Sequence, residues 1–257
     1  MLKLGLIGYQ IGYSKSPVIH QKFSEIFHIP LEYTLIDIKD TTINEYIKAL
    51  KQGFYHGFNI TTPYKETVIE YCDLLTDAAR QVGAVNTIYM QEGLVVGDNT
   101  DVEGFSLMLQ KNHIDLKNKK VHILGSGGAA KACYYVLKKM GSYPLYVSRS
   151  PGVSSKTISY DAFYQDQVEI IIQATPVGSY PRTELSPIVT DFVTDKIVIE
   201  LIYNPAQTKL LKMANKGING LDMLIYQAFA SFKIWAHLSL SLNDTDYQKI
   251  KEVLIHE

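Results

Sequence analysis

Residues 120–132 read KVHILGSGGAAKA. Lys120 to Leu124 is a short apolar run of strand character. It breaks at Gly125-Ser126-Gly127-Gly128, and a helical pattern follows over Ala129 to Met140. This places G-x-G-x-x-A at a strand-to-helix junction. Gly125 permits the tight turn, Gly127 lets the backbone approach a pyrophosphate, and Ala130 is small enough for the helix to pack on the strand. The first N–H groups of the helix then face the anion. A lone G-x-G is a weak signal, but this strand-turn-helix setting favours a dinucleotide site over a purely structural turn. The following strand, Leu145 to Ser148, ends at Ser148-Arg149-Ser150. An NAD site carries an acidic residue here for the ribose 2′-hydroxyl, and none occurs before Asp161. Arg149 instead offers a planar donor fork for a 2′-phosphate, which favours NADP(H). The plainer alternative is a solvated loop cation.

Outward from this turn, strand and helix patterns alternate, which predicts an α/β fold with mostly parallel strands. Upstream, strands are expected at Leu4 to Gly8, Tyr33 to Ile38, Gly57 to Ile60, Ala84 to Met90 and Leu94 to Gly97. Helices are expected at Pro17 to Phe27, Thr42 to Lys51 and Pro63 to Cys72. Ser16-Pro17 and Thr62-Pro63 both read as a hydroxyl N-cap followed by proline at the first helical position. Downstream, strands are expected at Val168 to Gln173, Ile197 to Ile202 and Ile218 to Gly220, then helices at Leu221 to Leu238 and Asp244 to Ile255. The boundary between the halves is expected in the helix after Asp101.

The 257 residues suffice for one or two domains with a substantial core. Twenty-five basic and 26 acidic residues give a net charge of −1, which argues against nucleic acid as a partner. No apolar run approaches the ~18 residues of a membrane span, and the N-terminus reads as a core strand rather than a signal peptide. Cys72 and Cys133 cannot form a disulfide framework and fit reduced thiols in a cytoplasm. The seven histidines show no ligand spacing with cysteines or carboxylates, so no metal is expected.

Three polar stretches stand at strand ends or helix starts, the edge where open α/β sheets bind ligands. They are Ser14-Lys15-Ser16-Pro17, Asn59-Ile60-Thr61-Thr62-Pro63-Tyr64-Lys65, and Gly97-Asp98-Asn99-Thr100-Asp101, with Asn86 close behind a strand. Hydroxyls, amides, one lysine and one carboxylate suit a small, hydroxylated, anionic molecule. These stretches, with Gly83-Ala84-Val85-Asn86-Thr87, Gly125-x-Gly127-Gly128-Ala129, Ala174-Thr175, Tyr203-Asn204-Pro205-x-x-Thr208 and Met223-Leu224-x-x-Gln227-Ala228, closely resemble the shikimate dehydrogenase family. The ordered set spans residue 5 to about residue 235, nearly the whole chain.

The resemblance implies two α/β domains with a cleft between them: an N-terminal substrate-binding domain, 1–102 plus 222–257, and a C-terminal Rossmann NADP-binding domain, 103–221. It implies that the last helices return to the first domain. The implied reaction is the reversible NADPH-dependent reduction of 3-dehydroshikimate to shikimate, by a cytoplasmic monomer or homodimer with a small-molecule substrate and neither nucleic acid nor membrane as a partner. Lys65 and Asp101 match the catalytic pair. Ser14 and Ser16 match groups that hold the substrate carboxylate. Thr61, Asn86 and Gln227 match hydrogen-bonding groups for the ring, and Tyr203 matches a tyrosine lining the site. Gly125, Ser126, Gly127, Gly128 and Ala129, Ser148, Arg149 and Ser150, Ala174 and Thr175, and Gly220 and Met223 match cofactor positions.

Each residue also has a plain reading. Lys65 suits a surface lysine, Asp101 and Ser16 suit helix caps, Gln227 a helix glutamine, Tyr203 a packed ring with a tethered hydroxyl, Gly220 a strand-end turn, and Met223 a core methionine. The chain departs from the family pattern at Glu200 (usually aspartate), Ser148-Arg149-Ser150 (usually Asn-Arg-Thr), Thr175-Pro176-Val177-Gly178 and Trp235-Ala236-His237. None of these touches Lys65 or Asp101. A quinate-oxidising relative using NAD, an enzyme acting on a folate or another carbonyl, and a non-catalytic NADPH sensor are the competing readings. The Ser14/Ser16 pair with Asn86 argues against the second, and the retention of Lys65 and Asp101 against the third.

Overall fold

The computed structural model describes residues 1–39, 42–150 and 155–256. The chain forms two compact units, Met1–Gly104 with Ile225–Glu257, and Phe105–Leu224. The first unit contains β1 (Leu2–Gly8), α1 (Ser16–Phe27), β2 (Leu31–Asp37), α2 (Ile43–Lys51), β3 (Gly57–Ile60), β4 (Leu74–Leu75), α3 (Asp77–Val82), β5 (Thr87–Gln91) and β6 (Leu94–Asp98). Helix α4 (Asp101–Lys111) carries the chain into the second unit, which holds β7 (Lys120–Leu124), α5 (Gly128–Lys139), β8 (Tyr143–Val147), β9 (Thr157–Ile158), α6 (Tyr160–Gln165), β10 (Ile170–Gln173), β11 (Ile197–Glu200), α7 (Lys209–Met213) and β12 (Lys216–Ile218). Helix α8 (Leu221–Ala236) leads back to the first unit, where α9 (Asp244–His256) ends the helical sequence.

The first sheet has the order β2-β1-β3-β5-β6-β4. Strand β1 runs parallel to β2 and β3, whereas β5 is antiparallel to both β3 and β6. Ile43, Ile47 and Leu50 of α2 pack with Ile7, Ile36, Phe58 and Ile88 of the sheet. Ile225, Ala228, Phe229, Phe232 and Trp235 of α8 recur at helical spacing and are buried. Phe229 and Phe232 meet Phe23 and Phe27 of α1. The Trp235 indole donates to Ile88 O at 3.2 Å and fills the space where a Cβ on residue 57 would stand, so only glycine fits there. This fixes α8 against the sheet and sets the depth of its polar residues.

The second sheet is wholly parallel, in the order β12-β11-β10-β7-β8-β9. Counted from β7 this is the doubly wound order 3-2-1-4-5-6, whose switch point lies between β7 and β10. Strands β7, β10 and β11 are apolar runs, as expected of strands covered on both faces.

Several local expectations need correction. Pro63 to Cys72 is not an α-helix. It is a series of turns followed by a 3-10 segment at Thr67–Tyr71, and the Thr62–Pro63 peptide is cis. The β-branched run Thr67-Val68-Ile69 weakens helix formation, and Val85 N claims the Lys65 carbonyl at 2.7 Å, which takes that group out of any helical ladder. Ser16 is the first residue of α1 and not its cap. Lys15 occupies the cap position without a side-chain bond to the helix start, and Ser14 Oγ accepts from Ser16 N at 3.3 Å. Strand β5 starts at Thr87 and not at Ala84, because the backbone of residues 84–86 bonds to the Lys65 loop, to Ile60 N and to Asp98 O. The short elements β4, α3, β9, α6 and α7 carry too few residues for a periodic signal.

Candidate active site

The Lys65 loop follows β3, and Asp101 opens α4 after β6. Lys65 Nζ donates to Asp101 Oδ2 at 2.6 Å, with the side chains only 15% and 7% exposed. Asn86 supports the pair: its Nδ2 donates to Asp101 Oδ1 at 2.9 Å and to Thr100 Oγ1 at 3.0 Å, and stands 3.5 Å from Gln227 Oε1. Asn86 Oδ1 accepts from Thr100 N at 2.7 Å and from the Thr87 and Thr100 hydroxyls at 3.1 Å each. Both amide hydrogens of Asn86 are thus engaged within the protein, and one of them orients Asp101.

The serine pair belongs to the same compact unit. Asp37, at the end of β2, accepts from Gln10 N and Ile11 N and shapes the loop that presents Ser14 and Ser16. Lys15 Nζ donates to Leu254 O of α9 at 2.6 Å. Ser14 Oγ donates to Ser16 Oγ at 3.1 Å, and the Tyr33 hydroxyl donates to Asn59 Oδ1 at 2.7 Å. Asn59 Nδ2 then reaches Asn86 O, Thr87 Oγ1 and Ser231 Oγ. Burial pushes the Tyr33 phenol up, so it remains a donor, and lowers His20, stacked on Tyr33 at 4.3 Å, to about 3, so that imidazole stays neutral. Thr61 is held in the loop after β3 by its N–H to Ile7 O at 2.9 Å.

The structure therefore links Asn86, Asp101, Lys65 and Gln227 in one network, with Ser14 and Ser16 paired in the same unit. Tyr203, Gly220 and Met223 lie in the other. Asn59, Thr87, Thr100 and Ser231 hold the network together and were not singled out from sequence. Asn59, Thr87 and Thr100 stand inside the matched stretches, which is the signal that marks them. Ser231 offers only a polar side chain in an apolar helix stripe.

In the second unit, the Gly125 turn follows β7 and Ala174-Thr175 follows the adjacent β10, at the switch point. Gly125 has φ +101°, and a Cβ there would press on Thr175 Cγ2 at 3.0 Å. Gly127 precedes α5 with no side chain capping the helix, and a Cβ built on it would meet nothing within 4 Å. Space beside uncapped N–H groups fits the pyrophosphate of a dinucleotide. Ser126, Gly128 and Ala129 continue this turn. Ser148 Oγ accepts from Ser150 N at 3.2 Å, and Arg149 between them is exposed. The Thr175 hydroxyl is tied to Gln173 Oε1 and to Val177 N, so it shapes the strand end. A Cβ on Gly220 would collide with the Leu201 carbonyl, a packing reason sufficient for glycine there. Met223 is buried. Glu200, wholly buried at the end of β11, accepts from the Thr208 hydroxyl at 2.8 and 2.9 Å, and burial raises it to about 7.

A doubly wound parallel sheet with a glycine turn at its switch point in one unit, and a buried lysine–carboxylate pair in the other, are the features of a dinucleotide-dependent oxidoreductase. A family model described as the shikimate dehydrogenase substrate binding domain matches residues 6–88. The shikimate dehydrogenase (NADP(+)) of Clostridium botulinum strain Hall is 37% identical over 249 residues, covering 91% of this chain and 96% of that relative. Among solved structures, shikimate dehydrogenase 1 of Peptoclostridium difficile superposes with a TM-score of 0.92 at 34% identity, covering 100% of this chain and 99% of the other. Shikimate 5-dehydrogenase of Thermus thermophilus, in complex with NADP(H) and shikimate, gives 0.87 at 25% identity, covering 99% and 100%. The chain belongs to the shikimate dehydrogenase family.

Proposed function

We propose that this chain catalyses the reversible NADPH-dependent reduction of 3-dehydroshikimate to shikimate. The observation that carries the reading is the 2.6 Å contact between Lys65 Nζ and Asp101 Oδ2, with both side chains largely buried. The Lys65 ammonium hydrogen-bonds the substrate carbonyl, stabilises the developing alkoxide and delivers its proton, while Asp101 orients the ammonium and balances its charge. Bound NADPH supplies the hydride. Ser14 and Ser16 hold the substrate carboxylate. Thr61, Gln227 and Tyr203 contact the rest of the molecule, and Asn86 acts mainly by holding Asp101.

The backbone at Gly125, Ser126, Gly127, Gly128 and Ala129 takes the pyrophosphate, and Arg149 with Ser148 and Ser150 takes the 2′-phosphate. Ala174, Thr175, Gly220 and Met223 frame the nicotinamide end. In this reading, residues 1–102 with 222–257 serve the substrate and 103–221 the cofactor. No described helix is long and apolar enough to cross a membrane. A cytoplasmic setting, with the enzyme acting as a monomer or homodimer, suits the two free thiols Cys72 and Cys133.

The test is a steady-state assay of the purified chain with shikimate or quinate and with NADP+ or NAD+. Shikimate with NADP+ is expected to give the highest kcat/KM. No shikimate-dependent reduction of either cofactor would overturn the proposal.

A further inference from the structure

Ser231 lies on α8 one helical turn beyond Gln227 and is completely buried. Its Oγ stands 3.0 Å from Asn59 Nδ2, 2.8 Å from Thr87 Oγ1, 3.0 Å from Thr100 Oγ1 and 3.1 Å from Gln227 O. One hydroxyl thus joins β3, the start of β5, the residue before α4, and the turn of α8 that carries Gln227. A serine hydroxyl has one hydrogen to give and two lone pairs to offer. Asn59 Nδ2 can only donate to it, because Asn59 Oδ1 is taken by the Tyr33 hydroxyl. The Ser231 hydrogen goes to Thr87, Thr100 or the Gln227 carbonyl. A hydrogen given to one threonine leaves that hydroxyl's own hydrogen for Asn86 Oδ1.

Thr100 N, which can only donate, and Asp101 Oδ1, which can only accept, set which way the Asn86 amide faces, and the threonine hydroxyls seated on Ser231 reinforce it. With its oxygen held by three donors, its nitrogen is turned onto Asp101 Oδ1, and Asp101 Oδ2 is left for Lys65. We infer that Ser231 is a positioning residue for the reaction, acting through Thr87, Thr100 and Asn86 on the Asp101 carboxylate; this rests on the roles proposed above for Lys65 and Asp101. Removing the hydroxyl leaves a small void where four groups met and frees both threonine hydroxyls to turn. Asn86 Oδ1 would then keep only the Thr100 N–H as a fixed donor, and the hold of Asn86 on Asp101 would loosen.

The variant is Ser231→Ala, measured in the wild-type and the Asp101→Asn backgrounds. In wild type, kcat is expected to fall roughly five- to ten-fold, with the KM for NADP+ within about two-fold. In the Asp101→Asn background the same substitution is expected to change kcat by less than about two-fold, since Ser231 acts through that carboxylate. A purely packing role would instead lower kcat equally in both backgrounds. Independently of turnover, the Asn86 side-chain amide hydrogens, followed by NMR in 15N-labelled protein, are expected to exchange at least about ten-fold faster in Ser231→Ala. Equal losses in both backgrounds, unchanged kcat, or unchanged Asn86 exchange would overturn the inference. If wild type shows no shikimate-dependent turnover, the proposed activity fails on that result, and the exchange rates still decide the role of Ser231.

Discussion

Replacing Lys65 by methionine removes the ammonium and keeps most of the apolar stem. In the role proposed for Lys65 this removes the proton donor and the charge facing the developing alkoxide, so kcat is expected to fall about 10²- to 10⁴-fold. The KM for shikimate is expected to move by less than about three-fold, because Ser14, Ser16 and Thr61 are untouched. The structure also sets a cost in stability. Asp101 is 7% exposed, and without Lys65 it is a buried carboxylate whose remaining side-chain donor is Asn86. Breaking a buried ion pair from one side costs about 3–5 kcal/mol. The retained Asn86 bond and the 15% exposure of Lys65 place this case near the lower end. About 3 kcal/mol corresponds to a fall in Tm of roughly 6–12 °C for a chain of this size. The double variant Lys65→Met/Asp101→Asn removes the unpaired charge and keeps an acceptor for Asn86, so it is expected to regain most of that Tm while staying inactive. Steady-state kinetics well below the lower Tm, with thermal melts of all three proteins, test both parts. Near-normal kcat with a greatly raised KM would make Lys65 a binding residue only and refute the argument.

Arg149→Ala is expected to lower kcat/KM for NADP+ about 10-fold or more while leaving that for NAD+ nearly unchanged; an unchanged ratio would remove Arg149 from cofactor selection. Glu200 has its folded-state pKa raised to about 7, above the value of an unfolded glutamate. The native state therefore binds more protons than the unfolded state between roughly pH 4.5 and 7, and stability falls as pH rises through that window. Glu200→Gln, which keeps an acceptor for Thr208, is expected to melt higher than wild type at pH 8, by at most about 3 kcal/mol of stability, and to match it near pH 4; equal melts at pH 8 would refute the assignment. Gly220→Ala drives a Cβ into the Leu201 carbonyl and is expected to cost about 1–3 kcal/mol through a backbone shift, read as a lower Tm; a wild-type melt would show that the turn yields freely.

Much of the architecture is legible because it rests on local chemistry. The β7 turn and helix α5 are written in the apolar residues Val121, Ile123 and Leu124, a glycine with positive φ and an uncapped helix start. The parallel strands of the second sheet declare themselves as short apolar runs between helices. The segment from Pro63 to Cys72 misleads for the opposite reason. Its proline and apolar spacing satisfy a helix template, but a distant backbone donor, Val85 N, takes the Lys65 carbonyl. The antiparallel β5 likewise depends on which strands meet, which no local pattern encodes.

What the sequence determined by itself was the alternation of strands and helices, the glycine turn between β7 and α5, and the polar residues available for chemistry. Each is set by side-chain type and spacing along one stretch of chain. The tertiary structure alone decided that Asn86 spends its amide on Asp101 and Thr100, that Ser231 stands beneath them, and that Glu200 is sealed from water. Hydrogen-bond partners 14 to 172 residues apart are chosen by packing. A buried donor or acceptor must take whichever partner the fold brings within about 3 Å, and local sequence carries no record of that choice.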